Sequence, residues 1–230
     1  GHVYALALLN GGCLASSSSD KTIKIYNLKE RQLKKNIQEE FWVLALVSLD
    51  NGDFASGQSD GRIKIWDAVS YELKRVLSGH ESSIFCLLLI EQDHLMSGSR
   101  DTTIKYWNVS DGSVVFTLDG HSNSIFSLTN LPDNFFASGS VDKTIKIWRR
   151  QPNKRQSMLV RTIQGHSRAV KSLSYLSTGL LASGSDDNSI RLWKIFWKVF
   201  KHEYFYFKLL IILFFSCSIW QTYHTNAFKQ

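Results

Sequence analysis

The chain has 230 residues, with 27 Lys and Arg against 20 Asp and Glu, 14 Gly and only 2 Pro. Its net charge of +7 is spread out: 22 basic residues face 19 acidic ones up to Trp193 (+3), and 5 face 1 in residues 194–230 (+4). Such dispersal argues against a phosphate-reading nucleic-acid face. The scattered cysteines Cys13, Cys86 and Cys217 form no CxxC pair and have no His at ligand spacing, which argues against a disulfide framework and a metal site.

From the amino terminus, residues 3–9, 13–17, 22–28 and 32–37 read as four short strands, with the Asp20-Lys21 step supplying turn chemistry between the second and the third. Ile23 and Ile25 point one way and Lys24 the other, which is the alternation of a half-buried strand. No leader pattern precedes them and the first residue is Gly1, so an N-terminus cut short is expected.

The same unit then recurs. LASSSSDKTIKIY, FASGQSDGRIKIW, LMSGSRDTTIKYW, FASGSVDKTIKIW and LASGSDDNSIRLW superimpose without a gap and end at Tyr26, Trp66, Trp107, Trp148 and Trp193. Their separations of 40, 41, 41 and 45 residues match a four-stranded propeller blade and are too long for leucine-rich or ankyrin units. The expected fold is all-β, a β-propeller of antiparallel blades over about 3–40, 41–80, 81–121, 122–166 and 167–194. The last lacks its fourth strand, so a fragment of a larger propeller is expected.

These residues resemble the WD-repeat family. The resemblance implies a buried hydrogen-bond tetrad in each blade, with Asp six residues and Ser ten residues before the Trp, and a His seventeen before the Ser. Three repeats carry all four: His80, Ser97, Asp101, Trp107; His121, Ser138, Asp142, Trp148; and His166, Ser183, Asp187, Trp193. In the second repeat Ser56, Asp60 and Trp66 remain but Glu39 takes the His position. The first has Ser16 and Asp20 with Tyr26 for Trp, and His2 lies only fourteen residues before Ser16. Both tetrads are therefore partial.

A Ser–His–Asp set also suggests a hydrolase. A nucleophile needs an exposed oxygen beside an oxyanion hole, whereas a Ser capped by Trp and repeated three times at fixed spacing is structural. No phosphate loop or HExxH helix appears. No catalytic residue and no cofactor is expected. The Asn108-Val109-Ser110 triplet reads as chance background, and the basic run Arg149, Arg150, Lys154 and Arg155 as a solvated loop.

The resemblance implies a function in protein–protein interaction, with partners on the propeller's top face. That face is lined by residues flanking the start of each inner strand and by the residue before the tetrad Asp. The first set is His2, Trp42, Ser83, Ser124 and Ala169 before, and Tyr4, Leu44, Phe85, Phe126 and Lys171 after, the inward-facing Val3, Val43, Ile84, Ile125 and Val170. The turns add Ser19, Ser59, Arg100, Val141 and Asp186. Tyr4, Trp42, Leu44, Phe85, Arg100, Phe126 and Lys171 are the expected protein- or peptide-binding residues, because aromatics with Arg have the composition of an interface centre. Phe85 and Phe126 equally suit packing between blades.

After Lys194 the pattern ends. Residues 195–230 are rich in Phe, Tyr, Ile, Leu and Lys and read in three ways: translated non-coding sequence, a membrane anchor over residues 204–223 that Lys208 interrupts, or an outer strand over residues 196–200. The expected setting is cytoplasmic, with membrane association if the tail is an anchor.

Overall fold

A computed structural model describes residues 1–91, 93–151 and 156–195. The three readings of the tail fall on residues 196–230, outside the described residues, and so do Lys154 and Arg155. The described chain is all-β, in five antiparallel meanders. β1 (Val3–Leu9), β2 (Cys13–Ser18), β3 (Thr22–Asn27) and β4 (Gln32–Gln38) form the first sheet. β5 (Val43–Ser48), β6 (Phe54–Gln58), β7 (Ile63–Trp66) and β8 (Leu73–Leu77) form the second. The third holds β9 (Ile84–Glu91), β10 (His94–Ser99), β11 (Ile104–Asn108) and β12 (Val114–Leu118), and the fourth β13 (Ile125–Leu131), β14 (Phe135–Ser140), β15 (Ile145–Gln151) and β16 (Gln156–Ile163). β17 (Val170–Tyr175), β18 (Leu180–Ser185) and β19 (Ile190–Lys194) make a three-stranded fifth blade.

Each turn from second to third strand is built the same way. The residue after the Asp that recurs in every repeat (Lys21, Gly61, Thr102, Lys143 and Asn188) has positive φ, between 62° and 87°. The Asp side chain accepts the N–H two residues on, at 2.9–3.1 Å, in all five blades. This Asx-type bond offers the backbone a partner inside the turn and offsets the cost of the left-handed conformation.

Inner strands lie side by side in the order β1, β5, β9, β13, β17. Four apolar cores fill the spaces between successive blades. In each, the isoleucine side of one blade meets the tryptophan side of the next: Ile23 and Ile25 meet Phe54 and Trp66, and Ile63 and Ile65 meet Leu95 and Trp107. Ile104 then meets Phe136 and Trp148, and Ile145 and Ile147 meet Leu181 and Trp193. Period-2 alternation allows this, since it gives every strand two faces and each blade core both.

Two expectations about direction need correction. Val3 was expected to face inward like Val43, Ile84, Ile125 and Val170, which are fully buried, but it is exposed, because among the described residues no blade packs against β1's tryptophan side. Leu44 was expected on the rim but is buried, the shorter side chain at the position that Phe85 and Phe126 hold half-buried in the next two blades.

Candidate functional site

Blades three to five each hold a closed hydrogen-bond chain. Trp107 Nε1–H donates to Ser97 Oγ at 2.8 Å, and His80 bonds Ser97 Oγ through Nε2 at 2.6 Å and Asp101 Oδ2 through Nδ1 at 2.7 Å. In blade four the three distances, for Trp148, His121 and Asp142 about Ser138, are 2.8, 2.7 and 2.7 Å. In blade five, for Trp193, His166 and Asp187 about Ser183, they are 2.8, 2.7 and 2.8 Å.

Donor and acceptor capacity fixes the direction at both ends of the chain. Indole can only donate and carboxylate only accept, so Ser Oγ accepts from Trp and the imidazole carries a proton on Nδ1 towards Asp, while the bond between Ser Oγ and His Nε2 takes its direction from the state of the ring. Each Asp Oδ2 also accepts a backbone N–H, from Glu81, Ser122 or Ser167, at 3.0–3.1 Å. Burial works against the charge on Asp101 and Asp142, but hydrogen bonds from His80 and Thr103, and from His121 and Thr144, hold both pKa values far below the ordinary range. Asp187 is lowered likewise, first by Ser189 and then by His166. The three Ser hydroxyls are buried between Trp and His, where no substrate carbonyl reaches them.

The other two blades replace the chain. In blade two Trp66 Nε1–H still donates to Ser56 Oγ at 2.9 Å, but buried Glu39 takes the His position and accepts from Gln58 Nε2 and Lys64 Nζ, both at 2.5 Å. Asp60 pairs with the Arg62 side chain instead. Lys64 is free to do so because Val76 stands opposite it, whereas Lys105 and Lys146 donate to Thr117 and Thr162 across the same strand pair, at 3.0 and 2.9 Å. In blade one Ser16 Oγ donates only to the Lys24 carbonyl, at 3.5 Å, and Asp20 serves its turn.

The candidate binding surface lies at one end of the inner strands. The carbonyl before each inner strand accepts the N–H of the residue preceding the turn Asp: His2 from Ser19, Trp42 from Ser59, Ser83 from Arg100, Ser124 from Val141 and Ala169 from Asp186, at 2.8–3.0 Å. Ser83 Oγ also donates to the Ser59 carbonyl at 2.9 Å, so Trp42, Ser59, Ser83 and Arg100 form one hydrogen-bonded run across blades two and three. Trp42 and Arg100 are both exposed on it.

Every inner strand also has a register shift at its start, and the residue left unpaired is Tyr4, Leu44, Phe85, Phe126 or Lys171. A bulge re-aims the side chain it leaves over. The Phe85 and Phe126 rings consequently meet with centroids 4.6 Å apart at 40°, and Lys171 Nζ sits 3.8 Å from the Phe126 centroid while pairing with Asp186 at 3.4 Å. This ladder runs across three blades. Tyr4 is exposed at the free end of the row. The bulge and the partnership with Asp186 were not foreseen from the sequence; the signal was the repeat itself, because aligned positions carrying a large side chain just after an inward residue occur five times.

Among the described residues no three His, Cys, Asp or Glu side chains gather as a metal site, and no helix is long and apolar enough to cross a membrane. The family described as WD domain, G-beta repeat matches residues 1–27, 31–67, 71–108, 112–149 and 157–194. Comparison with curated proteins gives no match.

Proposed function

Because the chain belongs to the WD-repeat family, whose repeats in general mediate protein–protein interaction without catalysis of their own, we propose that it is an adaptor or substrate-recognition scaffold holding a protein or peptide partner on the bulge-bearing rim. The observation that carries this reading is the exposed Trp42–Arg100 run beside the Phe85–Phe126–Lys171 ladder. Rigid aromatics and Arg concentrate binding energy, and here they sit on strand ends fixed by backbone bonds rather than on a loose loop. Lys171 and Arg100 would favour a partner segment bearing carboxylates with an aromatic or aliphatic anchor.

The test is affinity capture with the wild-type chain and with Trp42→Ala/Arg100→Ala, read alongside thermal unfolding. The expected outcome is loss of the proteins retained by wild type with unfolding changed by no more than about 0.5 kcal/mol, as for surface substitutions. Undiminished capture, or a variant that fails to fold, would remove the rim from the account.

A further inference from the structure

Blades three and four depart from the repeat at positions that face each other. Blades one, two and four set an isoleucine opposite a basic residue of the outer strand: Ile25 with Lys35, Ile65 with Arg75 and Ile147 with Arg161. Blade three sets Tyr106 opposite Phe116 instead. The two rings stack at 4.7 Å and 5°, and His94 stacks on Tyr106 as well, at 5.1 Å and 21°. The three isoleucines are buried, whereas Tyr106 and Phe116 are half-buried, so an aromatic surface stays open between the blades. The facing wall belongs to blade four, and its departure has a local cause. In blades one to three the residue after the Tyr or Trp that ends the repeat, Asn27, Asp67 or Asn108, accepts the N–H groups two and three residues on and ends the third strand in a turn. Arg149 has no side-chain acceptor to do this, so β15 and β16 stay paired out to Gln151 and Gln156. The longer hairpin brings Arg150, Gln151 and Gln156 to line, with His94, Tyr106 and Phe116, a cleft of about 330 Å³. It lies at the far end of β11 from Arg100 and the rim.

We propose that this cleft is a second binding site, separate from the rim, which takes an aromatic side chain of a protein partner with a carboxylate next to it in sequence. The stacked floor offers a further ring a flat aromatic surface, and Arg150 on the facing wall supplies the counter-charge for the carboxylate. The acid that the cleft itself contains, Asp111, does not oppose this. Its carboxylate accepts from Ser113 N–H at 2.8 Å and Asn108 Nδ2 at 3.2 Å, and the charge of Arg75 from blade two acts on it as well. A protein segment suits the mouth, because β12 and β16 are the last strands of their sheets and present edges along which an extended chain can lie. The volume stands at the small end of the range of about 300–1,000 Å³ for ligand clefts, which fits one side chain and its neighbours.

Fluorescence anisotropy with the full 230-residue chain and labelled peptides centred on Glu-Phe-Glu, Gln-Phe-Gln and Glu-Ala-Glu tests this. Wild type is expected to bind the Glu-Phe-Glu peptide about tenfold more tightly than either of the others, the effect of one charge-assisted bond or one buried ring. Tyr106→Ile puts back the residue of the other blades and so keeps the fold. It and Arg150→Gln should each weaken binding of the Glu-Phe-Glu peptide by about tenfold, while Trp42→Ala/Arg100→Ala leaves it unchanged. Equal affinity for the three peptides overturns the proposal, as does binding that survives both cleft substitutions. A loss that follows the Trp42 and Arg100 substitutions instead assigns the peptide to the rim and overturns it too.

Discussion

Blades three to five and blades one and two share one strand plan but fix it differently. In the former, a hydrogen-bond chain from Trp through Ser and His ends on Asp, and every buried polar atom in it has a partner. In blade two a buried ion pair, Glu39 with Lys64, does the tying, and in blade one no comparable chain exists. The fold survives both changes because apolar packing between blades continues through them: Phe54 and Trp66 are as buried on blade one's isoleucine side as Phe136 and Trp148 are on blade three's. The tetrad therefore reinforces a blade whose shape hydrophobic alternation has already set.

Truncation should separate the two regions most. Trp148→Ala removes both a core side chain and the indole donor, with an expected loss of about 3–5 kcal/mol, whereas Tyr26→Ala on the open side of blade one should cost less than half as much by chemical denaturation. Equal losses would mean that the tetrad adds nothing at blade four. Glu39→Ala comes next, at about 3 kcal/mol, since it strands Lys64 in a largely buried place. Little change there would show that blade two holds by packing alone.

A smaller effect is expected from acid. The carboxylates of Asp101, Asp142 and Asp187 have folded pKa values lowered below their unfolded ones, so their stabilisation is full above the unfolded value of about 4 and is lost as pH falls towards the folded value. Denaturation midpoints should drop between about pH 4 and pH 2, and His121→Ala should shrink that drop by removing the bond from Nδ1 to Asp142. A pH profile unchanged by the substitution would assign the acid sensitivity elsewhere.

Much of this was legible in the sequence because a repeat supplies its own alignment. The period fixed the blades, and the strands read in the first repeat end within one residue of those observed. Ser, Asp and Trp offsets placed the members of the hydrogen-bonded chains that blades three to five form. The replacement in blade two was harder to foresee because it rests on a residue two strands away: only Val76 in place of Thr117 or Thr162 leaves Lys64 to turn to Glu39. Val3 was misjudged for a related reason. Alternation gives the face a side chain takes, but its exposure depends on whether a neighbouring blade covers that face. The bulges on the inner strands escaped notice because an unpaired residue changes register without changing composition.

Exchange of the indole Nε1–H protons, followed by NMR, tests the central claim most directly: that buried Trp–Ser–His–Asp chains hold the blades while an exposed rim is left free to bind. Slowest exchange is predicted for Trp107, Trp148 and Trp193, faster exchange for Trp66, whose Ser56 lacks a His behind it, and near-free exchange for exposed Trp42. Protection of Trp42 equal to that of Trp148, or of Trp66 equal to the other three, would contradict it.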